Sequence, residues 1–284
     1  MYLGIDYGTS GARACVIAPS GEIEDMARID FGNLADFEIA ASWRDTLFSL
    51  ITQIPVGLRK RLAALAIDGT SASVLACDEA FIPAHPPLLY NDARATEQAA
   101  LIRQVVGGQH AAGAATSGLA KALWLNRYAG QRGSMSRRYL NQADWLSGLL
   151  SGQAVSDYHN ALKLGVDLET GAWPAWVAGL IDVHALPKLV KPGQGIGLID
   201  RPRGRELGIN PDCLIRAGTT DSIAAFLAAG GEQPRLPGEA VTSLGSTLVL
   251  KLLSETRVDA GEYGVYSHWY GRYWLAGGAS NAGG

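Results

Sequence analysis

Apolar and polar positions alternate from the first residues of the chain. Residues 2–7 and 12–18 predict two strands of a hairpin, and residues 22–30 a third strand. Trp43, Leu47, Leu50, Ile51 and Ile54 then recur at helical spacing, predicting a helix over 40–54 that Pro55 closes. Two apolar runs, 62–68 and 73–78, read as strands around the polar link Gly69-Thr70-Ser71-Ala72, and a proline-rich loop over 83–87 follows. Helical patterns cover 95–106, 118–130 and 141–151, stopping at Gly107, Gly130 and Gly152. The stretch 156–195 mixes turn residues with short apolar clusters and predicts no clear element. Beyond it, "LIRAG" reads as a buried strand, "TTDSIAAFLAAG" as a helix and "GEAVTSLGSTLVLKLL" as strand, turn and strand. Strands and helices mixed throughout predict an α/β architecture.

Composition narrows the function classes. With 284 residues and 48% hydrophobic content, about two domains with real cores are expected. A net charge of -3 argues against nucleic-acid binding, and the basic clusters at Arg59-Lys60-Arg61 and Arg201 to Arg205 lack interleaved aromatics, so they read as solvated faces. No basic stretch followed by an apolar core opens the chain, and no apolar run is long enough to span a bilayer, so a cytoplasmic protein without a membrane partner is expected. Cys15, Cys77 and Cys213 are far apart and read as small buried apolar residues.

Candidate chemistry begins in "GIDYGTSGAR". Asp6 ends an apolar strand, and Gly8 and Gly11 permit backbone torsions closed to other residues, so amides of the turn and the Thr9 and Ser10 hydroxyls could cradle a phosphate. An ordinary polar hairpin turn is the alternative. No lysine follows, so this is not a P-loop. "VTSLGSTLVLKLL" repeats the plan around Gly245, Ser246 and Thr247, which suggests two lobes that each offer a phosphate-gripping turn. In "AGTTDSIAAFLAAG" a strand ends at Gly218 and Asp221 falls in the first turn of a helix. Such residues commonly cap helices, but the helix dipole would also keep Asp221 ionised, able to deprotonate a substrate hydroxyl.

Together these motifs, with "AIDGTSASVLACD", "LLYNDAR", "AKALWLNRY", "QADWLSGLLSG", "SDYHNALKLG" and "WLAGGASNAGG", resemble the FGGY carbohydrate kinases of the actin-like ATPase superfamily over the whole chain. Within that family the chain is most similar to the D-ribulose kinases of cyanobacteria and plants. The resemblance implies an actin-like ATPase fold of ribonuclease H-like type, with residues 1–236 forming a sugar-binding domain and 237–284 the beginning of a nucleotide-binding domain. It implies ATP and Mg2+ as cofactors and a pentulose as substrate, D-ribulose going to D-ribulose 5-phosphate, with D-xylulose the alternative. Asp221 matches the catalytic base, and Asp6 the residue that reaches Mg2+ and the reacting end of the sugar. Gly8, Thr9 and Ser10 match one phosphate turn and Gly245, Ser246 and Thr247 the other. Ser71 stands where many relatives carry a Gly-Gln-Met-His-Gly sugar motif, Asp92 and Arg94 form the Asp-x-Arg loop, and Lys121 with Trp124 matches a family signature. Asp157, His159 and Asn160 either line the sugar cleft or form a turn. Because the sequence holds one whole lobe and the first hairpins of another, weak pentulose binding and very low ATP affinity are expected of these 284 residues alone. Two other classes compete: a silent sugar-binding module, and an actin-like nucleotide hydrolase without a sugar, against which "YNDAR" and "GTTDS" speak.

Overall fold

The structure is a computed structural model that describes residues 1–129, 137–230, 236–244 and 248–280. Its elements in chain order are β1 (Tyr2–Tyr7), β2 (Gly11–Ile17), β3 (Ile23–Asp30), α1 (Ile39–Gln53), α2 (Val56–Arg59), β4 (Ala64–Gly69), β5 (Val74–Cys77), α3 (Thr96–Val106), α4 (Gly118–Ala129), β6 (Arg138–Asn141) and α5 (Gln142–Ser151). There follow β7 (Val155–Asp157), α6 (Tyr158–Ala161), α7 (Ala175–Ala178), β8 (Lys188–Val190), β9 (Gly195–Leu198), α8 (Arg201–Leu207), β10 (Leu214–Thr220) and α9 (Asp221–Ala228). A second sheet takes β11 (Ala240–Ser243), β12 (Leu248–Ser254), β13 (Tyr266–Tyr270) and β14 (Tyr273–Ser280).

The main sheet runs β3-β2-β1-β4-β10-β9. Its first three strands are antiparallel, whereas β1, β4 and β10 run parallel, which brings their carboxyl ends to one edge. Such an edge of an α/β sheet is where ligands usually bind. Leu3, Ile5 and Tyr7 of β1 and Leu65 and Ile67 of β4 share one core with Trp43, Leu47, Leu50 and Ile51 of α1. Each such aliphatic side chain contributes about 1.5–3 kcal/mol by leaving water. Helix α1 ends where expected, because the residue before Pro55 is pushed out of the helical region, and Ile54 is extended at φ -65° and ψ 132°. The strand ending in "LIRAG" runs two residues past Gly218. Pairing to β4 shifts register between Arg216 and Thr219 and then resumes as Thr219 opposite Asp68 and Thr220 opposite Gly69. Among the described residues no helix is long and apolar enough to cross a membrane.

Lys121 of α4 ties the second layer to the sheet. Its side chain is fully buried, and its ammonium donates to the carbonyls of Ala72 at 2.8 Å, Leu89 at 2.6 Å and Tyr90 at 3.2 Å. Burial pushes this amine down to about 7, yet all three of its protons have acceptors. Ala72 sits at φ 61°, a conformation that persists in a residue with a Cβ only when its surroundings hold it there. The Lys121 side chain therefore fastens the turn that carries Ser71. Lys121→Met is expected to cost about 3 kcal/mol by leaving buried carbonyls unpaired, read as a lower denaturation midpoint at unchanged m-value.

Candidate active site

Three carboxylates gather at the carboxyl ends of β1, β4 and β10. Asp6 and Asp68 are Cα partners in the parallel register of β1 and β4, and Thr219, two residues before Asp221, is the partner of Asp68 on the other side. Because Ile5, Tyr7 and Ile67 point into the α1 core, strand alternation sends Asp6 and Asp68 together to the opposite face of the sheet. Burial, and then the Asp6 carboxylate beside it, raise the Asp68 carboxyl to about 9, so Asp68 holds its proton at neutral pH. Its Oδ1 is buried without a partner.

Asp221 opens α9, with Thr220 as the residue before the helix. Its Oδ1 accepts from the Ser222 amide at 2.7 Å. Burial lifts its carboxyl above the ordinary range and Asp6 adds to this, while Ser222, Lys163 and Lys251 pull the other way.

Behind this edge lies a buried polar brace. The Asp157 carboxylate caps α6, accepting from the amides of His159 at 2.8 Å and Asn160 at 3.2 Å. Asn160 Nδ2 donates to the Thr219 carbonyl at 3.0 Å. His159 bonds Thr219 Oγ1 through Nδ1 and the Trp269 carbonyl through Nε2, each at 2.7 Å. Because the carbonyl must accept, Nε2 carries the proton and Nδ1 accepts from Thr219. Of the two readings of Asp157, His159 and Asn160, the turn-forming one describes what they do: they fix the end of β10 and join it to β13.

The Gly8–Gly11 turn is closed by the Gly8 amide on the Gly11 carbonyl at 3.0 Å, with exposed Thr9 and Ser10 at its tip. Neither glycine has a positive φ, which corrects the torsional reason for their presence. Gly11 is required for space instead, since a Cβ there would lie 2.6 Å from the Ile29 carbonyl oxygen of β3. A cleft of about 270 Å³ opens beside this turn, lined among others by Gly8, Thr9, Thr70, Ser73, Tyr90 and Gln142. Gln142 Oε1 accepts from both the amide and the hydroxyl of Thr70, at 3.0 and 2.9 Å. Ser71 is half-buried in the turn directly after β4, next to Thr70. Asp92 and Arg94 are given to each other: Nε of Arg94 reaches both carboxylate oxygens, at 3.0 and 2.9 Å, and its guanidinium lies 5.2 Å from the Trp124 ring centre. Burial works against the Asp92 charge, but Arg94 overcomes it and holds the carboxyl below its ordinary range. Gly245, Ser246 and Thr247 lie outside the described residues.

Sequence reasoning passed over Asp68 as a site residue. The signal was present, because "AIDGTS" repeats the order of "GIDYGTS", an apolar strand, an aspartate and a Gly-Thr-Ser turn. Lys163 and Lys251 were also missed.

The model of the FGGY family of carbohydrate kinases, N-terminal domain, matches residues 1–228. The chain belongs to this family. A xylulose kinase from Streptomyces coelicolor is 24% identical to this FGGY chain over 283 residues, covering 90% of the chain and 55% of the relative. A gluconokinase from Bacillus subtilis is 22% identical over 301 residues, covering 99% and 58%. The crystal structure of xylulose kinase from Rhodospirillum rubrum superposes with a TM-score of 0.83 at 19% identity, covering 98% of this chain and 60% of that one. This likeness shows that the FGGY chain has the actin-like fold of these kinases, with one lobe and part of another. The chain spans little more than half the length of these relatives.

Proposed function

We propose that this chain carries the sugar-binding part of an ATP-dependent pentulose kinase acting on D-ribulose. The observation that carries the reading is the trio of Asp6, Asp68 and Asp221 on one sheet edge, with a base-like carboxylate at the start of α9. In this reading the terminal hydroxyl oxygen of the sugar bonds to the γ-phosphorus as the bond to the bridging β–γ oxygen breaks, and the hydroxyl proton passes to Asp221. Ser71 and the loop of Asp92 and Arg94 contact the sugar. Residues 1–236 form the sugar-binding domain, and 237–284 begin the nucleotide domain with Gly245, Ser246 and Thr247 as its phosphate turn.

The residues present fit Mg2+ with ATP. Asp68 has an orphaned buried oxygen beside Asp6, next to the turn of Gly8, Thr9 and Ser10. Among the described residues no group of three or more His, Cys, Asp or Glu side chains converges to hold a metal alone. That suits an ion bound through one or two carboxylates, completed by phosphates and water. When bound, Mg2+ would supply charge neutralisation at the phosphates; the Asp6 carboxylate would hold it, with the protonated Asp68 beside it.

D-xylulose is the second reading, favoured by the xylulose kinases among the relatives. ADP release by the longest natural form of the gene product decides between them. D-ribulose is expected to show the higher kcat/KM, with Ser71→Ala raising KM for it about tenfold. Preference for D-xylulose or glycerol defeats the D-ribulose assignment, and an unchanged KM removes Ser71 from the sugar.

A further inference from the structure

A cavity of about 530 Å³ lies where the second sheet meets the main one. Ala66, two residues before Asp68 on β4, lines it, so it opens on the same face of the main sheet as Asp68. It shares no lining residue with the cleft beside the Gly8–Gly11 turn. Ala217 and Gly218 of β10 border it from the main sheet together with Gly193, whose amide donates to the Ala217 carbonyl at 2.9 Å. Trp269 and Tyr270 of β13 border it from the second sheet, and Leu227 of α9 completes the lining. Ile223 and Phe226 of that helix are buried with Leu253 and Leu275, whereas Leu227 is 48% exposed and turns to the cavity instead. His159 and Thr219 also reach it, but their side chains are spent on each other and on the Trp269 carbonyl, at 2.7 Å each. The remaining surface is apolar and aromatic, which suits a flat apolar body stacked on a ring.

The rim has the opposite character. Lys191, which precedes the lining residue Pro192, holds its ammonium 5.5 Å from the centre of the Trp269 ring. Arg216 is the Cα partner of Ala66 across β10 and β4, and its guanidinium donates to the Gly193 carbonyl at 2.7 Å. Both cations are exposed. Among the described residues, none that lines the cavity or adjoins a lining residue in the chain is Asp or Glu. In a chain with a net charge of -3, this rim is cationic against the average. An apolar cavity with positive charge at its mouth is complementary to a ligand that is apolar at one end and anionic at the other.

We propose that this cavity binds a small aromatic carboxylate, with the ring against Trp269 and the carboxylate between Lys191 and Arg216. Such an occupant touches β10, which leads into Asp221, and β13 of the second sheet at once. Its binding is therefore coupled to how the second sheet sits against the main one, which makes the cavity a regulatory site. The binding itself does not depend on the kinase reading; the effect on turnover does.

Calorimetric titration with 2-naphthoate is compared with 2-naphthylmethanol, which keeps the rings and lacks the charge, and with decanoate. It is run on the 284-residue chain and on the longest natural form. Naphthoate is expected to bind both proteins, about 10-fold more tightly than the alcohol, and to weaken with salt where the alcohol does not. Lys191→Glu is expected to remove that advantage and Leu227→Asp to weaken both aromatic ligands. Hydrogen exchange is expected to slow at Gly193 and over β13 when naphthoate binds. In turnover by the longest natural form, saturating naphthoate is expected to lower kcat with KM for the pentulose within about twofold. Lys191→Glu keeps its basal turnover and loses the response. Equal affinity of naphthoate and the alcohol, tighter binding of decanoate, or affinity unchanged in both variants overturns the assignment. So does binding to the 284-residue chain that the longest natural form lacks, since the rest of that protein then covers the cavity. Self-association that Leu227→Asp abolishes would give the cavity to a second copy and overturn it as well. Naphthoate that binds but leaves turnover unchanged overturns the regulatory role. A protein that binds naphthoate as expected and phosphorylates no pentulose keeps the site and removes the kinase reading instead.

Discussion

Replacing Asp221 with asparagine is expected to lower kcat at least about 10²-fold while leaving sugar binding nearly intact. Asparagine keeps the shape and can still accept from the Ser222 amide, which in the wild type lies 2.7 Å from Oδ1, so α9 loses little at its start. On the proposed reading, what disappears is the carboxylate that takes the proton of the attacking hydroxyl. The wild-type pH profile carries the same signature. Burial places the Asp221 carboxyl above its ordinary range, and the base works only when ionised. Turnover therefore falls as pH drops through that raised value, and Asp221→Asn removes this limb. ADP release by the longest natural form, with calorimetric titration of the pentulose in parallel, measures both halves. A variant with near-normal turnover removes Asp221 from the chemistry.

The pieces that are regular in space were regular in the sequence. The three opening strands, α1 and the three central helices announced themselves through strict alternation or 3.6-residue recurrence, and their ends through Pro55, Gly107 and Gly152. The stretch 156–195 did not, because its order comes from side chains bonding to nearby backbone. Asp157, Asp167 and Asp182 each accept from the amide two residues later, fixing short turns that have no period to detect.

The site was legible where an aspartate stands beside a glycine-rich turn, and opaque where its chemistry arises from register. Nothing local marks Asp68 as the neighbour of Asp6; that requires β4 to lie parallel beside β1. Lys251 is a sharper case, since "LVLKLL" alone reads as a strand with its lysine toward solvent, whereas the structure turns that lysine inward and the flanking leucines outward.

Gly218→Ala is expected to be the most damaging small substitution on the sheet edge, costing about 3 kcal/mol. A Cβ at this position would lie 1.8 Å from the carbonyl oxygen of Ile67 and 2.7 Å from its carbon, and both are backbone atoms of the central strand β4. Neither can swing aside as a side-chain tip could. Relief requires β10 to move away from β4 at the register shift between Arg216 and Thr219. That shift sets where Thr219 meets Asp68, and so where Asp221 begins α9. A loss of this size is a large part of the about 5–15 kcal/mol that holds a typical domain, and it corresponds to a melting temperature lower by about 9 °C. The displacement also separates Asp221 from Asp6, so kcat is expected to fall more than the loss of folded protein explains. Thermal unfolding of the 284-residue chain, with turnover of the longest natural form measured well below its melting point, checks the two effects separately. An alanine variant that melts with the wild type would show that β10 does not approach β4 as closely as this geometry requires.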